Sequence, residues 1–254
     1  MTEATEVAAA ALAKAFETET LIDPLSDVLL KDPATAYAIQ FHAIDRIEGA
    51  IAGWKVGATN PKAQAAMRTD GPFYGPILVD CDATGRSYGS VTPGTIGAEI
   101  EIAFRIGHDL RRRSTPYEVD EVRDVIQSMH PAIEVIGLRQ KISGPLTALC
   151  AIADFGGNVL FKAGPAIANW QNIDLTTIGA RCDVNGHTMN EGVSSVVLGN
   201  PLNALCWLAN NGPGLQAGQW ISTGSITAVT PVKAGDTVVG DFGSIGSVSL
   251  LLEG

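Results

Sequence analysis

Charge is sparse in this sequence, and positive charge most of all. Lys and Arg number 17 against 27 Asp and Glu, a formal net charge of −10. Such a balance argues against nucleic-acid binding, which calls for a basic surface. The one basic cluster, Arg111-Arg112-Arg113, reads as a solvated turn. Cysteine is also scarce: Cys81, Cys150, Cys182 and Cys206 lie far apart, with no Cys-x-x-Cys pair. That spacing supports neither a thiolate zinc site nor a disulfide framework, so free thiols in a reducing compartment are expected. No apolar run reaches membrane-spanning length. The opening Met1-Thr2-Glu3-Ala4-Thr5-Glu6 lacks the basic start and apolar core of a signal peptide, and a cytoplasmic location without membrane association is expected. No glycine-rich phosphate loop leads from a strand into a helix, and no Gly-x-Ser-x-Gly elbow occurs, which leaves nucleotide and serine-hydrolase chemistry without support. The histidines show no metal-ligand spacing.

What is present is a chain of 254 residues, enough for one large core or a main body with a smaller appendage. Low charge with abundant Ala, Val, Ile and Gly points to extensive burial, which a homo-oligomer would provide. An alanine-rich helix is expected over 4–17 and a second over 34–52, where Tyr37, Phe41, Ile44 and Ile51 recur at helical spacing. Trp54-Lys55-Val56-Gly57 reads as a short strand. Residues 59–76 are rich in turn signals around a short helix and have the character of a lid. A shift in composition near 80–90 divides a small helical N-terminal region, 1–80, from a main body, 81–254. In that body Thr115-Pro116-Tyr117-Glu118 reads as a capping box opening a helix to about Met129, broken by His130-Pro131. A helix over about 145–154, a hairpin at Asn185-Gly186, a helix over 201–210 and strands near 219–223, 237–242 and 246–252 follow. Helices first and irregular strands later indicate an α+β fold.

The chemistry begins in Ile96-Gly97-Ala98-Glu99-Ile100-Glu101-Ile102-Ala103-Phe104. Side chains alternate along a strand, so Ile100, Ile102 and Phe104 share one face, and Glu99 and Glu101 share the other with Cα atoms roughly 7 Å apart. Carboxylates that close repel unless a cation lies between them, and oxygen ligands suit Mg²⁺, Mn²⁺ or Ca²⁺. Glu134 lies in the next apolar strand, Ala132-Ile133-Glu134-Val135-Ile136, where a carboxylate needs a partner. Three such glutamates would half-fill an octahedral shell; solvent-facing glutamates on amphipathic strands are the alternative reading. Lys55, set among glycine and apolar residues, is the cation that would offset them.

These segments carry a resemblance. Gly53-Trp54-Lys55-Val56-Gly57-Ala58-Thr59, Glu99-Ile100-Glu101-Ile102-Ala103-Phe104 and Pro131-Ala132-Ile133-Glu134-Val135 resemble the lysine and metal-ligand segments of the fumarylacetoacetate hydrolase superfamily, in its 2-keto-4-pentenoate hydratase and 4-oxalocrotonate decarboxylase branch. The run from Gly199 to Asn210 resembles that branch's late helix, and Ser222-Thr223-Gly224-Ser225 and Gly235-Asp236 to Gly246-Ser247-Val248 are similar as well.

The resemblance implies a mixed β-roll body holding a divalent ion, usually Mg²⁺ with Mn²⁺ or Ca²⁺ possible, on Glu99, Glu101 and Glu134. It implies Lys55 as the catalytic acid/base or as the cation that orients the substrate carboxylate. Asp154, Phe155, Thr223 and Gly224 are the candidate substrate contacts, with a helix C-terminal polar residue as the other reading of Asp154. The expected substrate is a small 2-oxo or 2-hydroxydienoate acid. The expected reaction is its hydration, with 2-oxo acid decarboxylation or a non-catalytic relative as alternatives. Two departures stand out. The branch places a polar Asp-Ser pair before its arginine, where this chain has Gly137-Leu138 before Arg139; and it carries Asp-Asn-Ala-Ser, where this chain has Asp154-Phe155-Gly156-Gly157. Both are expected to make the substrate wall more apolar.

Overall fold

A computed structural model of the chain describes residues 2–47 and 50–254. Strand alternation builds two sheets. β1 (Ile51–Gly57), β2 (Phe73–Leu78), β4 (Thr95–Ile106), β5 (Ile126–Gly137), β6 (Asn158–Ala163) and β9 (Trp220–Ser225) form a six-stranded sheet in the order β2-β1-β9-β4-β5-β6. β3 (Tyr88–Ser90), β7 (Gly179–Val184), β8 (His187–Val193), β10 (Thr237–Asp241) and β11 (Ser247–Glu253) form a second, ordered β3-β11-β10-β7-β8. All pairings in the first sheet are antiparallel except β1 with β9.

One face of β4 and β5, carrying Ile100, Ile102, Phe104, Ile106, Ile133 and Val135, packs with Cys182, Val238, Val248 and Leu250 of the second sheet in the main apolar core. The sheets come close because Gly240 lies against Ile100; a Cβ there would sit 3.1 Å from Ile100 Cγ2. The six-stranded sheet also curls, bringing its edge strands β2 and β6 into contact. Ile77, Ala103, Ala132, Phe161, Ala163 and Trp220 cluster on the other face of these strands. Helices α1 (Glu3–Thr18), α2 (Pro33–Arg46) and α5 (Ala148–Ala153) share a further core with Phe73, Leu78 and Phe155. α3 (Pro61–Met67) is short and buries none of its residues. α4 (Val119–Asp124) and α6 (Pro201–Asn211) pack on each other beside the main core. No helix among the described residues is long and apolar enough to cross a membrane.

Several boundaries differ from the sequence expectations. α2 ends at Arg46, and Ile51, which fitted the helical period, opens β1; residues 48 and 49 of the expected helix lie outside the described residues. Residues 73–76 are not loop but the start of β2, buried throughout and paired with β1. The helix expected from Thr115 begins three residues later, where Glu118 and Glu121 form the capping box, and it stops at Asp124. The β-branched pair Val125-Ile126 then passes into β5, and His130 and Pro131 stand inside that strand opposite Ala103 and Ile102. Pairing with β4 overrides the local helical signal.

Candidate metal centre

The register of β4 and β5 sets Glu99 directly opposite Glu134 and Glu101 opposite Ala132. With side chains alternating, all three glutamates project from the same face of adjacent strands. Each offers a carboxylate oxygen, and the three oxygens lie within 4.8 Å of one another. Glu101 and Glu134 are buried, while Glu99 is half-buried and lines a cavity of about 230 Å³ together with Glu101, Thr59, Lys62, Ser225 and Thr227.

Lys55 reaches the triad through β9. β1 runs parallel to β9 with Lys55 beside Ser222, and β9 runs antiparallel to β4. Lys55 Nζ lies 3.4 Å from Glu134 Oε1 and 5.7 Å from the centre of the Phe73 ring. Burial pulls the Lys55 pKa down, but Glu134, Glu99 and Glu101 together outweigh it and hold the ammonium above its ordinary range. Burial is also the main force on the acids. It pushes Glu99 up to about 7, with Lys55 opposing and Glu134 adding to the rise. Glu101 is raised well above the ordinary carboxylate range by burial and by the charges of Glu134 and Glu99. Glu134 is raised by burial against the pull of Lys55 and Asn158.

Fixed donors aim two of the carboxylates. Glu101 Oε2 accepts from Ser222 Oγ at 2.5 Å and from the Gly224 N–H at 2.8 Å. Gly224 adopts φ +113°, and a Cβ there would fall 2.2 Å from Thr59 Oγ1, so only glycine lets this backbone approach the acid. Glu134 Oε1 accepts from Asn158 Nδ2 at 2.9 Å. Glu134 Oε2 is buried and has no hydrogen-bond partner among the described residues. An unpaired carboxylate oxygen in the interior is costly unless something cationic completes it. An all-oxygen donor set of this kind fits a hard divalent ion such as Mg²⁺, Mn²⁺ or Ca²⁺.

The other expected substrate contacts are placed differently from one another. Gly224 meets the triad through its backbone. Thr223 points to the opposite face of β9 and donates from Oγ1 to the Ile102 carbonyl at 2.8 Å; the strand's alternation gives the inner position to Ser222. Asp154 is buried in a pair with Arg139, accepting from Arg139 Nη1 at 3.1 Å and from its backbone N–H at 2.7 Å. Phe155 packs its ring in the helical core beside Phe16. Ser222 and Thr59 stood in the resembling segments without an assigned role, and Asn158 went unnoticed. The signal available for Ser222 was its spacing of two from Gly224, on the face opposite Thr223.

Comparison with known proteins agrees with this geometry. The family description Fumarylacetoacetate (FAA) hydrolase C-terminal matches residues 81–250. A 4-oxalocrotonate decarboxylase of Pseudomonas putida is 30% identical over 230 residues, covering 85% of this chain and 84% of the relative. A 2-keto-4-pentenoate hydratase 1 of Dechloromonas aromatica (strain RCB) is 30% identical over 264 residues, covering 97% and 96%. The solved structure of 4-oxalocrotonate decarboxylase from Pseudomonas putida G7, complexed with magnesium and adipate, superposes with a TM-score of 0.84 at 26% identity, covering 99% of this chain and 98% of its own. The same decarboxylase has also been solved complexed with calcium and acetate. The fold, the oxygen-lined centre and these relatives agree on one conclusion: this chain belongs to the fumarylacetoacetate hydrolase family.

Proposed function

We propose that this chain is a divalent-metal-dependent lyase that hydrates a 2-hydroxydienoate of the 2-keto-4-pentenoate type to a 4-hydroxy-2-oxo acid. The observation that carries the reading is the convergence of Glu99, Glu101 and Glu134 beside Lys55, with Glu99 and Glu101 opening onto the cavity. Glu99, Glu101 and Glu134 would hold the ion, Mg²⁺ in the first instance. When bound, it supplies Lewis acidity toward the substrate's carboxylate and the neighbouring oxygen.

The protein's own groups do the rest. Ser222 and the Gly224 N–H keep Glu101 aimed, so little reorganisation accompanies ligand binding. Val56, Ala63, Ala66 and Val229 line the cavity with apolar surface suited to the hydrocarbon part of a short acid. Lys55 carries a proton beside Glu134 and is the acid/base of the reading. Hydration protonates the dienol at its distal carbon, and water then adds to the conjugated double bond that results.

Decarboxylation of a 4-oxalocrotonate-type 2-oxo acid is the second reading, favoured by the decarboxylase relatives that match as well as the hydratases do. It needs the same charge stabilisation, so the acidic triad serves either reaction. Two measurements test the proposal. Mg²⁺ should raise the melting temperature, and oxalate, which chelates as a 2-oxo acid does, should raise it further by mass action. Loss of 2-hydroxypentadienoate absorbance against CO₂ release from 4-oxalocrotonate then separates hydratase from decarboxylase. Stabilisation by Mg²⁺ with no oxalate increment and no turnover of either acid would instead mark a non-catalytic relative.

A further inference from the structure

Arg139 stands two residues beyond the end of β5 and is 5% exposed, yet it is absent from the lining of the metal-centre cavity. Its contacts lead to the triad by another route. Nη2 donates to the Asn158 carbonyl at 2.8 Å, and the Asn158 side chain donates to Glu134 Oε1. Glu134 and Arg139 are joined through β5, so the three residues close a ring across the β5–β6 pair. Asp154 fixes the other side of the guanidinium.

The guanidinium carbon also lies 4.8 Å from the centre of the Phe155 ring and 5.2 Å from that of Phe16 in α1. Phe155 holds this position at φ +52°, followed by Gly156 and Gly157 at φ +67° and +75°. A left-handed aromatic residue is strained and persists only where its surroundings enforce it. Here the enforced conformation delivers the ring to Arg139 and the helical core. The Phe155 of the departure noted in the sequence stacks on Arg139, and Gly156 beside it lies against the Lys55 side chain.

We propose that Arg139 is a positioning residue: braced by Asp154, Phe155 and Phe16, it orients Asn158 and so aims Glu134 with its second oxygen free for the ion. The proposal rests on the reading of the triad as a divalent-metal site. On the side away from the triad, Arg139 also lines a cavity of about 450 Å³ with Phe16, Arg86 and Leu138. A small planar cation can therefore reach the position of a truncated Arg139 from outside.

The test is Mn²⁺ binding, followed by calorimetry and by the Mn²⁺ resonance spectrum. Arg139→Ala should weaken Mn²⁺ by roughly tenfold to a hundredfold, the range for groups that orient metal ligands. Millimolar guanidinium chloride, far below denaturing strength, should restore much of that affinity, while sodium chloride at equal ionic strength should not. Arg139→Lys keeps the charge against Asp154 but lacks the fork that reaches Asn158, and should also bind Mn²⁺ more weakly. It decides the matter where the alanine variant does not fold. Phe155→Leu should weaken Mn²⁺ about threefold. Wild-type affinity in the folded Arg139 variants would overturn the proposal, as would guanidinium that restores melting temperature but not Mn²⁺ affinity. Failure of the unmodified protein to bind Mn²⁺ would overturn the metal reading itself and this inference with it.

Discussion

The two faces of β4 follow opposite logics. Ile100, Ile102, Phe104 and Ile106 are fully buried against the second sheet, where removal of apolar surface from water stabilises the fold. Glu99 and Glu101, alternating with them, face a centre whose charges are costly to desolvate and repel one another. A single strand thus carries the apolar core on one side and the acidic cluster on the other. The apolar face offsets what the acidic face costs, and the pleat keeps the two apart. Substitutions on one face should therefore leave the other's property in place.

The strongest break is Glu101→Gln. Without that ligand, Mn²⁺ binding and turnover should fall together, turnover by at least about a thousandfold, while the metal-free protein melts no lower than wild type because a buried repulsive charge has gone. Calorimetry, kinetics and a thermal melt check the three parts; full activity in the variant after chelator treatment would end the metal reading. The mirror-image break is Ile102→Ala. It should cost roughly 3 kcal/mol of stability by urea titration yet leave Mn²⁺ affinity within about twofold. Lys55→Met should keep fold and metal but lower kcat by about a hundredfold or more.

A gentler probe is pH. Glu99 in the metal-free protein is held up to about 7, so a proton must leave as the ion enters. Mn²⁺ affinity should fall as pH drops through that value, because the ion must displace the proton that Glu99 takes up. Stability of the metal-free form runs the other way. Between the ordinary Glu value of 4.5 and about 7 the native state binds more protons than the unfolded chain, so stability falls as pH rises through that window. Melts across the same range with and without Mn²⁺ should slope in opposite directions.

Alternation made the acidic triad legible, because Glu99, Glu101 and Glu134 each interrupt an apolar strand and a period of two assigns their faces. What one strand cannot reveal is register. The placement of Glu134 opposite Glu99, rather than two residues away, depends on pairing between strands. The same blindness explains Thr223: its hydroxyl looked functional, but Ser222 holds the inner position because of how β9 pairs with β4 and β1. Asp154 and Phe155 were read as part of a substrate wall because they stand where the resembling branch carries Asp-Asn-Ala-Ser. Arg139, brought alongside by the fold, draws both into its own cluster. The helix expected from Thr115 to Met129 is cut to Val119–Asp124, and its far end is lost because long-range pairing of β5 outweighs the local helical signal. The N-terminal helix and the Asn185-Gly186 hairpin, whose signals are local, appear as the sequence indicates.

β9 has a consequence for how the protein is made. It lies between β1 and β4, yet it comes from residues 220–225, long after both. A ribosome that has finished Glu134 has synthesised Lys55 and every acid of the centre, but the strand that joins the lysine's half of the sheet to the glutamates' half is still to come. Until it inserts, β1 and β4 each present an unpaired edge, and the nascent chain carries its acids without the donors that aim Glu101. The donors that aim Glu101 are thus translated only after Lys55 and all three acids.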